Sequence, residues 1–170
     1  MHRDFSIGNI IIADGFAGAA LPDSCTYISG WATAEQVTPD RRSCRTNELT
    51  GIYAFMDLSV LDGEPHTISS DLESLAMIIL FLACDLRPPW ATSRTPAEML
   101  AHRRAHLLLS CGWRTLCREY MQPSRAADVL KGAAQRLHAL FWGSAHDDDR
   151  YKQDITPQQF LAALELPNAE

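Results

Sequence analysis

Asp71-Leu72-Glu73-Ser74-Leu75-Ala76-Met77-Ile78-Ile79-Leu80-Phe81-Leu82-Ala83-Cys84 is the stretch on which the fold turns. After Ser74 a helix drawn through it is apolar on every side. Such a helix is normally buried all round, at the centre of a helical domain. Ser69, Ser70 or Asp71 can cap its start. The uninterrupted apolar run, Leu75 to Cys84, is roughly half the length a bilayer crossing needs, so it reads as core and not as a membrane span.

Helix signals continue toward the C-terminus. Thr95-Pro96-Ala97-Glu98 is a capping box with proline at the first helical position, followed by Met99, Leu100, Leu107 and Leu108. Ser124 can cap a helix that carries Leu130, Ala134, Leu137 and Phe141 on one stripe. Thr156-Pro157-Gln158-Gln159 repeats the capping signature ahead of Phe160, Leu161 and Leu164. Toward the N-terminus the pattern changes. Asn9 to Ile12 is a β-branched run, Asp14-Gly15 a turn pair and Ala17 to Leu21 a possible return strand, so residues 9–22 read as a hairpin. Residues 28–50 show no periodicity and read as a long loop of the functional kind. The predicted fold class is mostly α with one small β-hairpin, residues 1–150 forming the domain and 151–170 a C-terminal helix and tail.

The chain's 170 residues suffice for one domain with a real core. Its net charge of −6 argues against a nucleic-acid or anionic-membrane partner. The polar start, Met1-His2-Arg3-Asp4, has no apolar signal region, and the expected location is intracellular. The five cysteines form no CxxC pair and read as free thiols. His102 and His106 have a zinc-like spacing, but Arg103 and Arg104 between them disfavour a cation, and a surface role is the better reading. His146 with Asp147, Asp148 and Asp149 reads as a solvated loop, and Trp90, Trp113 and Trp142 as core or interface anchors.

His2-Arg3-Asp4-Phe5-Ser6-Ile7-Gly8-Asn9 carries the chemistry. Its spacing, H-R-D-x-x-x-x-N, is similar to the catalytic loop of protein kinases. There the aspartate orients the proton of an attacking hydroxyl, and the asparagine turns a neutral oxygen toward magnesium. A strand follows, then a hairpin that ends at a second metal-binding aspartate. Ile10-Ile11-Ile12 and Asp23 fit that plan. Farther on stand Arg45-Thr46, Phe55-Met56, His66 and Asp71-Leu72-Glu73-Ser74. In this order the strings resemble the fungal-type protein kinase family, over roughly residues 2–85.

The resemblance implies the C-terminal lobe of a kinase-like fold: catalytic loop 2–9, hairpin 9–22, activation segment 23–59 and buried helix 71–84. It implies transfer of the ATP γ-phosphate to protein Ser or Thr hydroxyls. Asp4 is then the base, with Ser6 standing where many kinases carry a phosphate-facing lysine. Asn9 and Asp23 hold magnesium on the ATP phosphates. Arg3 braces the activation segment, and Asp71 caps the buried helix and ties it to the catalytic-loop backbone. Some positions depart from the pattern. Gly51-Ile52 lacks a hydroxyl that would bond the catalytic aspartate. Asp57 follows Met56 where a glutamate is expected, which predicts loss of a buried ion pair. No GxGxxG occurs, and the two lysines, Lys131 and Lys152, both follow the buried helix. The N-terminal lobe is thus absent from these residues, and ATP and Mg2+ are expected not to bind tightly to this chain alone. The helix that precedes HRD in that fold is missing as well, which predicts an uncovered apolar surface open to a protein partner. Three readings stay open: a truncated and inactive piece of a kinase, a pseudokinase-like remnant that binds proteins, and an unrelated helical domain with a chance HRD.

Overall fold

The computed structural model describes residues 1–14, 24–38, 43, 49–121, 125–143 and 154–164. The described part is mostly helical, with a two-stranded antiparallel hairpin near the N-terminus. Strand β1 is Ile10–Asp14 and β2 is Ser24–Ile28. The helices are α1 (Leu58–Leu61), α2 (Ile68–Ala83), α3 (Pro96–Arg103), α4 (Ser110–Glu119), α5 (Arg125–Phe141) and α6 (Pro157–Leu164). No helix among the described residues is long and apolar enough to cross a membrane.

The hairpin differs from the sequence expectation. Strand β1 pairs with Ser24–Ile28, Ile10 opposite Ile28 and Asp14 opposite Ser24, and the expected return strand, Ala17 to Leu21, lies outside the described residues. Thr26, Tyr27 and Ile28 are β-branched or aromatic, whereas the Ala/Gly-rich stretch before them has weak strand preference. Gly15 and Asp23 lie outside the described residues. The described part of the long loop is irregular apart from one 3-10 turn at Trp31–Thr33 and an isolated bridge from Ser43 to Thr67.

Helix α2 organises the core. It starts at Ile68, three residues before the expected point, because Thr67 and Ser70 form a reciprocal capping box. Thr67 Oγ1 accepts from Ser70 N at 3.1 Å, and Ser70 Oγ accepts from Thr67 N at 2.7 Å. Asp71 is thereby released from capping. Burial is wide but not all round. Ala76, Met77, Ile78, Leu80, Phe81 and Ala83 are buried. Leu72, Leu75 and Ile79 are half-buried, and Leu82 is exposed. Helix α5 packs along α2 and contributes the buried Ala134, Leu137 and Phe141. Trp90 and Trp142 are fully enclosed. Each such large apolar side chain contributes about 1.5–3 kcal/mol by leaving water.

The capping signals downstream mark helix starts. Thr95 accepts from Glu98 N and opens α3, although Glu98 Oε2 turns to Arg94 N at 2.9 Å and not to Thr95. Thr156 and Gln159 cap α6 reciprocally. Between α3 and α4 the chain passes through one π-helical turn, Arg104–Leu108. Ser124 and the Asp147–Asp149 loop lie outside the described residues.

Candidate active site

Asp71, four residues into α2, reaches back to the first residues of the chain. Its Oδ2 accepts from His2 N at 2.5 Å and its Oδ1 from Arg3 N at 2.9 Å. The expected tie to the catalytic-loop backbone is present, and the expected cap is supplied by Thr67 instead. Arg3 has φ +70°, a left-handed conformation that costs an L-residue about 1–3 kcal/mol. The carboxylate clamp on its N–H offsets part of that strain. The Arg3 guanidinium donates to Thr50 Oγ1 at 3.1 Å and lies 3.6 Å from Glu35. It therefore ties the loop to residues 35 and 50 of the segment that follows the hairpin. His2 is buried, stacks on Phe5 at 4.6 Å, and joins Ser29 O through Nε2 at 2.7 Å.

This anchoring sets Asp4 and Asn9 side by side. Asn9 Nδ2 donates to Asp4 O at 2.8 Å and to Asp4 Oδ2 at 2.9 Å. The other carboxylate oxygen, Oδ1, is buried and has no hydrogen-bond partner. Gly51 lies against it: a Cβ there would stand 3.0 Å from Asp4 Oδ1 and 2.8 Å from Arg3 O. Gly51 also has φ +103°, so glycine is required both by space and by backbone conformation. Ile52, next in the chain, brings no hydroxyl. A buried carboxylate oxygen without a donor costs free energy unless some hydroxyl or N–H fills the place. Ser6 is buried at the start of the turn, with its hydroxyl 3.8 Å from the position of a Gly8 Cβ.

Ser29, and not an acid, is the residue that follows the hairpin and meets Asn9. Its N–H donates to Asn9 O at 2.9 Å and its hydroxyl to the same oxygen at 3.3 Å. Gly30, φ +79°, runs so close that a Cβ would lie 2.6 Å from the Asn9 carboxamide. Asp23, the other expected magnesium ligand, lies outside the described residues. Magnesium takes hard oxygens, commonly one or two carboxylates beside phosphate. Around Asn9 the described residues offer one carboxylate, Asp4, which already holds the Asn9 amide, and one neutral hydroxyl. No group of three or more acidic, His or Cys side chains suited to a metal occurs among the described residues. Among the described residues these groups supply too few acidic oxygens for a magnesium–nucleotide site.

Residues 1–84 match the profile of the family described as fungal protein kinase. Over this stretch the chain belongs to the fungal protein kinase family. The matched segment takes in the Asp4–Asn9 pair, the hairpin, Gly51 and helix α2 up to its end. No curated protein matches the chain.

A buried ion pair joins the kinase-family segment to α3, with its acid at Glu73 and not at the position after Met56. Arg103, on α3, is fully buried, and its Nη2 donates to Glu73 Oε1 at 3.1 Å. Its Nη1 donates to Met56 O. The same Glu73 oxygen accepts from Leu58 N at 3.1 Å and from Trp142 Nε1 at 3.3 Å. Asp57 caps α1 through Ser59 N and Val60 N. The arginine's acid thus comes from α2 and not from residue 57. Burial pushes the Glu73 carboxyl above the ordinary glutamate range, the nearby Asp57 adds to this, and Arg103 opposes it. Burial also pulls Arg103 down against the pull of the two acids. An acid, Glu73, at the head of the long apolar run was the available signal, since such a group is rarely buried unpaired.

Proposed function

We propose that these residues form the substrate-presenting half of a protein kinase-like module, built like a kinase C-terminal lobe. In the family reaction the γ-phosphate of ATP passes to a protein Ser or Thr hydroxyl. Asp4 is the group that receives and orients that hydroxyl here. The observation that carries this reading is the buried, unpartnered Asp4 Oδ1 beside Gly51, with the other oxygen held by Asn9. Once the Gly51 turn moves aside, a substrate hydroxyl donating to Oδ1 would supply the missing hydrogen bond. The fit of ATP and Mg2+ is poor, because Ser29 stands beside Asn9 without a negative charge and no glycine-rich loop is present in the sequence. The 170 residues alone are therefore expected to transfer no phosphate, and their ligand is a protein segment bearing a hydroxyl.

Ser29 also favours a second reading, a pseudokinase-like module that captures a partner without chemistry. Two assays separate the readings. The chain is incubated with γ-labelled ATP, Mg2+ and a Ser/Thr peptide mixture, and then laid over an array of the same peptides. We expect no label on the peptides, together with retention on the array that Asp4→Asn abolishes. Label transfer that disappears in Asp4→Ala would overturn the expected inactivity. Retention unchanged by Asp4→Asn would overturn the substrate-presenting role in favour of partner capture elsewhere on the lobe.

A further inference from the structure

A two-metal-ligand plan needs its second acid directly after the hairpin, where the returning strand delivers it to the asparagine. The ladder closes at Ile10 opposite Ile28, so that place belongs to residue 29. The hairpin's other end, Asp14 opposite Ser24, is four residues away along β2, about 13 Å at strand spacing. We propose that Ser29 fills the second-acid position of a divalent-cation site that this chain carries in disarmed form.

Three observations support the assignment. Ser29 N and Oγ both bond Asn9 O, at 2.9 and 3.3 Å, so residue 29 sits within side-chain reach of the asparagine. Gly30 passes so near the Asn9 carboxamide that a Cβ there would stand 2.6 Å from it, so the chain just after residue 29 lies beside that group. The Asn9 amide nitrogen is committed to Asp4 O and Oδ2, which leaves Oδ1 as the carboxamide's acceptor. A carboxamide oxygen and a neutral hydroxyl do not compete with water for a hard divalent cation. Adding a carboxylate raises the charge count that sets affinity. A single substitution, Ser29→Asp, therefore arms the site.

The test uses Mn2+ as the probe and reads free Mn2+ by electron paramagnetic resonance, with no nucleotide or peptide present. The inference rests on the family reading only for where an acid belongs. Since no substrate is added, its outcome is independent of the array experiment. Wild type is expected to match Ser29→Ala and Asn9→Ala in showing no site-specific Mn2+ binding. Ser29→Asp is expected to bind roughly tenfold tighter or more, and to lose that gain when combined with Asn9→Ala. Ser29→Asn, uncharged and of equal size, controls for tolerance of the longer side chain. Overturning results are wild-type binding that Asn9→Ala or Asp23→Asn removes, or a Ser29→Asp protein with native circular dichroism and no gain. The wild-type arms decide the matter even where the variant does not fold.

Discussion

Glu73 and Arg103 show how one residue choice is constrained by another thirty positions away. The two side chains are 2% and 0% exposed, and one glutamate oxygen collects N–H groups from α1, α3 and the end of α5. Burial works against both charges, so the pair gains little over a well-packed apolar pair. Breaking it is another matter, because the surviving charge is left in a dry interior. Arg103→Met is therefore expected to lower unfolding free energy by about 3–5 kcal/mol. Glu73→Gln combined with Arg103→Met should recover a large part of that loss, since the neutral amide oxygen still accepts from Leu58 N. Urea unfolding of the single and double variants checks this. A single variant within about 1 kcal/mol of wild type would mean that the pair is not buried as described.

Elements dock through side chains that must be neutral to be buried, and His138 on α5 is one of them. It stacks on Trp113 of α4 at 3.7 Å and bonds Leu107 O, in the π turn, at 2.8 Å through Nε2. Burial lowers its pKa below 6.5, against the opposing hydrogen bond to Leu107. His66 is lowered as well, by burial and then by Arg3, against Asp71 and Asp57. A histidine depressed in the fold binds fewer protons folded than unfolded, so stability rises with pH through the window just below 6.5 and is lost on acidification. The melting temperature should fall between about pH 7 and pH 5, and His138→Gln should flatten that fall, with His66 sustaining the remainder. Equal slopes for variant and wild type would count against the docking role. The helical elements themselves were legible because capping boxes and apolar stripes are local signals: Thr95, Thr156 and the 71–84 run each mark a real helix. The Asp4–Asn9 contact joins two residues that the resemblance to a catalytic loop singles out. The return strand was not legible, because Ala17 to Leu21 and Ser24 to Ile28 compete for the same partner and only long-range pairing decides. The pairing of Ile10 with Ile28 is what brings Ser29 beside Asn9. Glu73–Arg103 was missed for a related reason: the partner of a buried charge is set by tertiary approach, and neighbours in sequence do not reveal it.

At the scale of the whole molecule, one cluster of exposed apolar side chains among the described residues lies on the hairpin. Ile11, Ile12, Tyr27 and Ile28 are 50%, 69%, 50% and 41% exposed, and Trp31 beside them is 60% exposed. Successive strand residues point to opposite faces, so the neighbours Ile11 and Ile12 expose apolar surface on both, while Ile10 packs against the core. The sheet has two strands among the described residues, which leaves edge N–H and C=O groups as a template for another strand. A two-stranded hairpin is marginal by itself, and a further strand or covering surface would stabilise it. The net charge of −6 opposes association of like chains and is screened by salt. We therefore expect concentration-dependent self-association in sedimentation that strengthens as salt rises. Ile12→Lys provides the decisive variant. It makes the chain less acidic, so weakened charge repulsion alone would strengthen association. A charge on an open apolar edge blocks strand addition and would weaken it. Reduced association in Ile12→Lys assigns the contact to the hairpin. A chain that stays monomeric at every concentration and salt level, or an Ile12→Lys variant that associates more strongly, would remove the hairpin as the interaction surface.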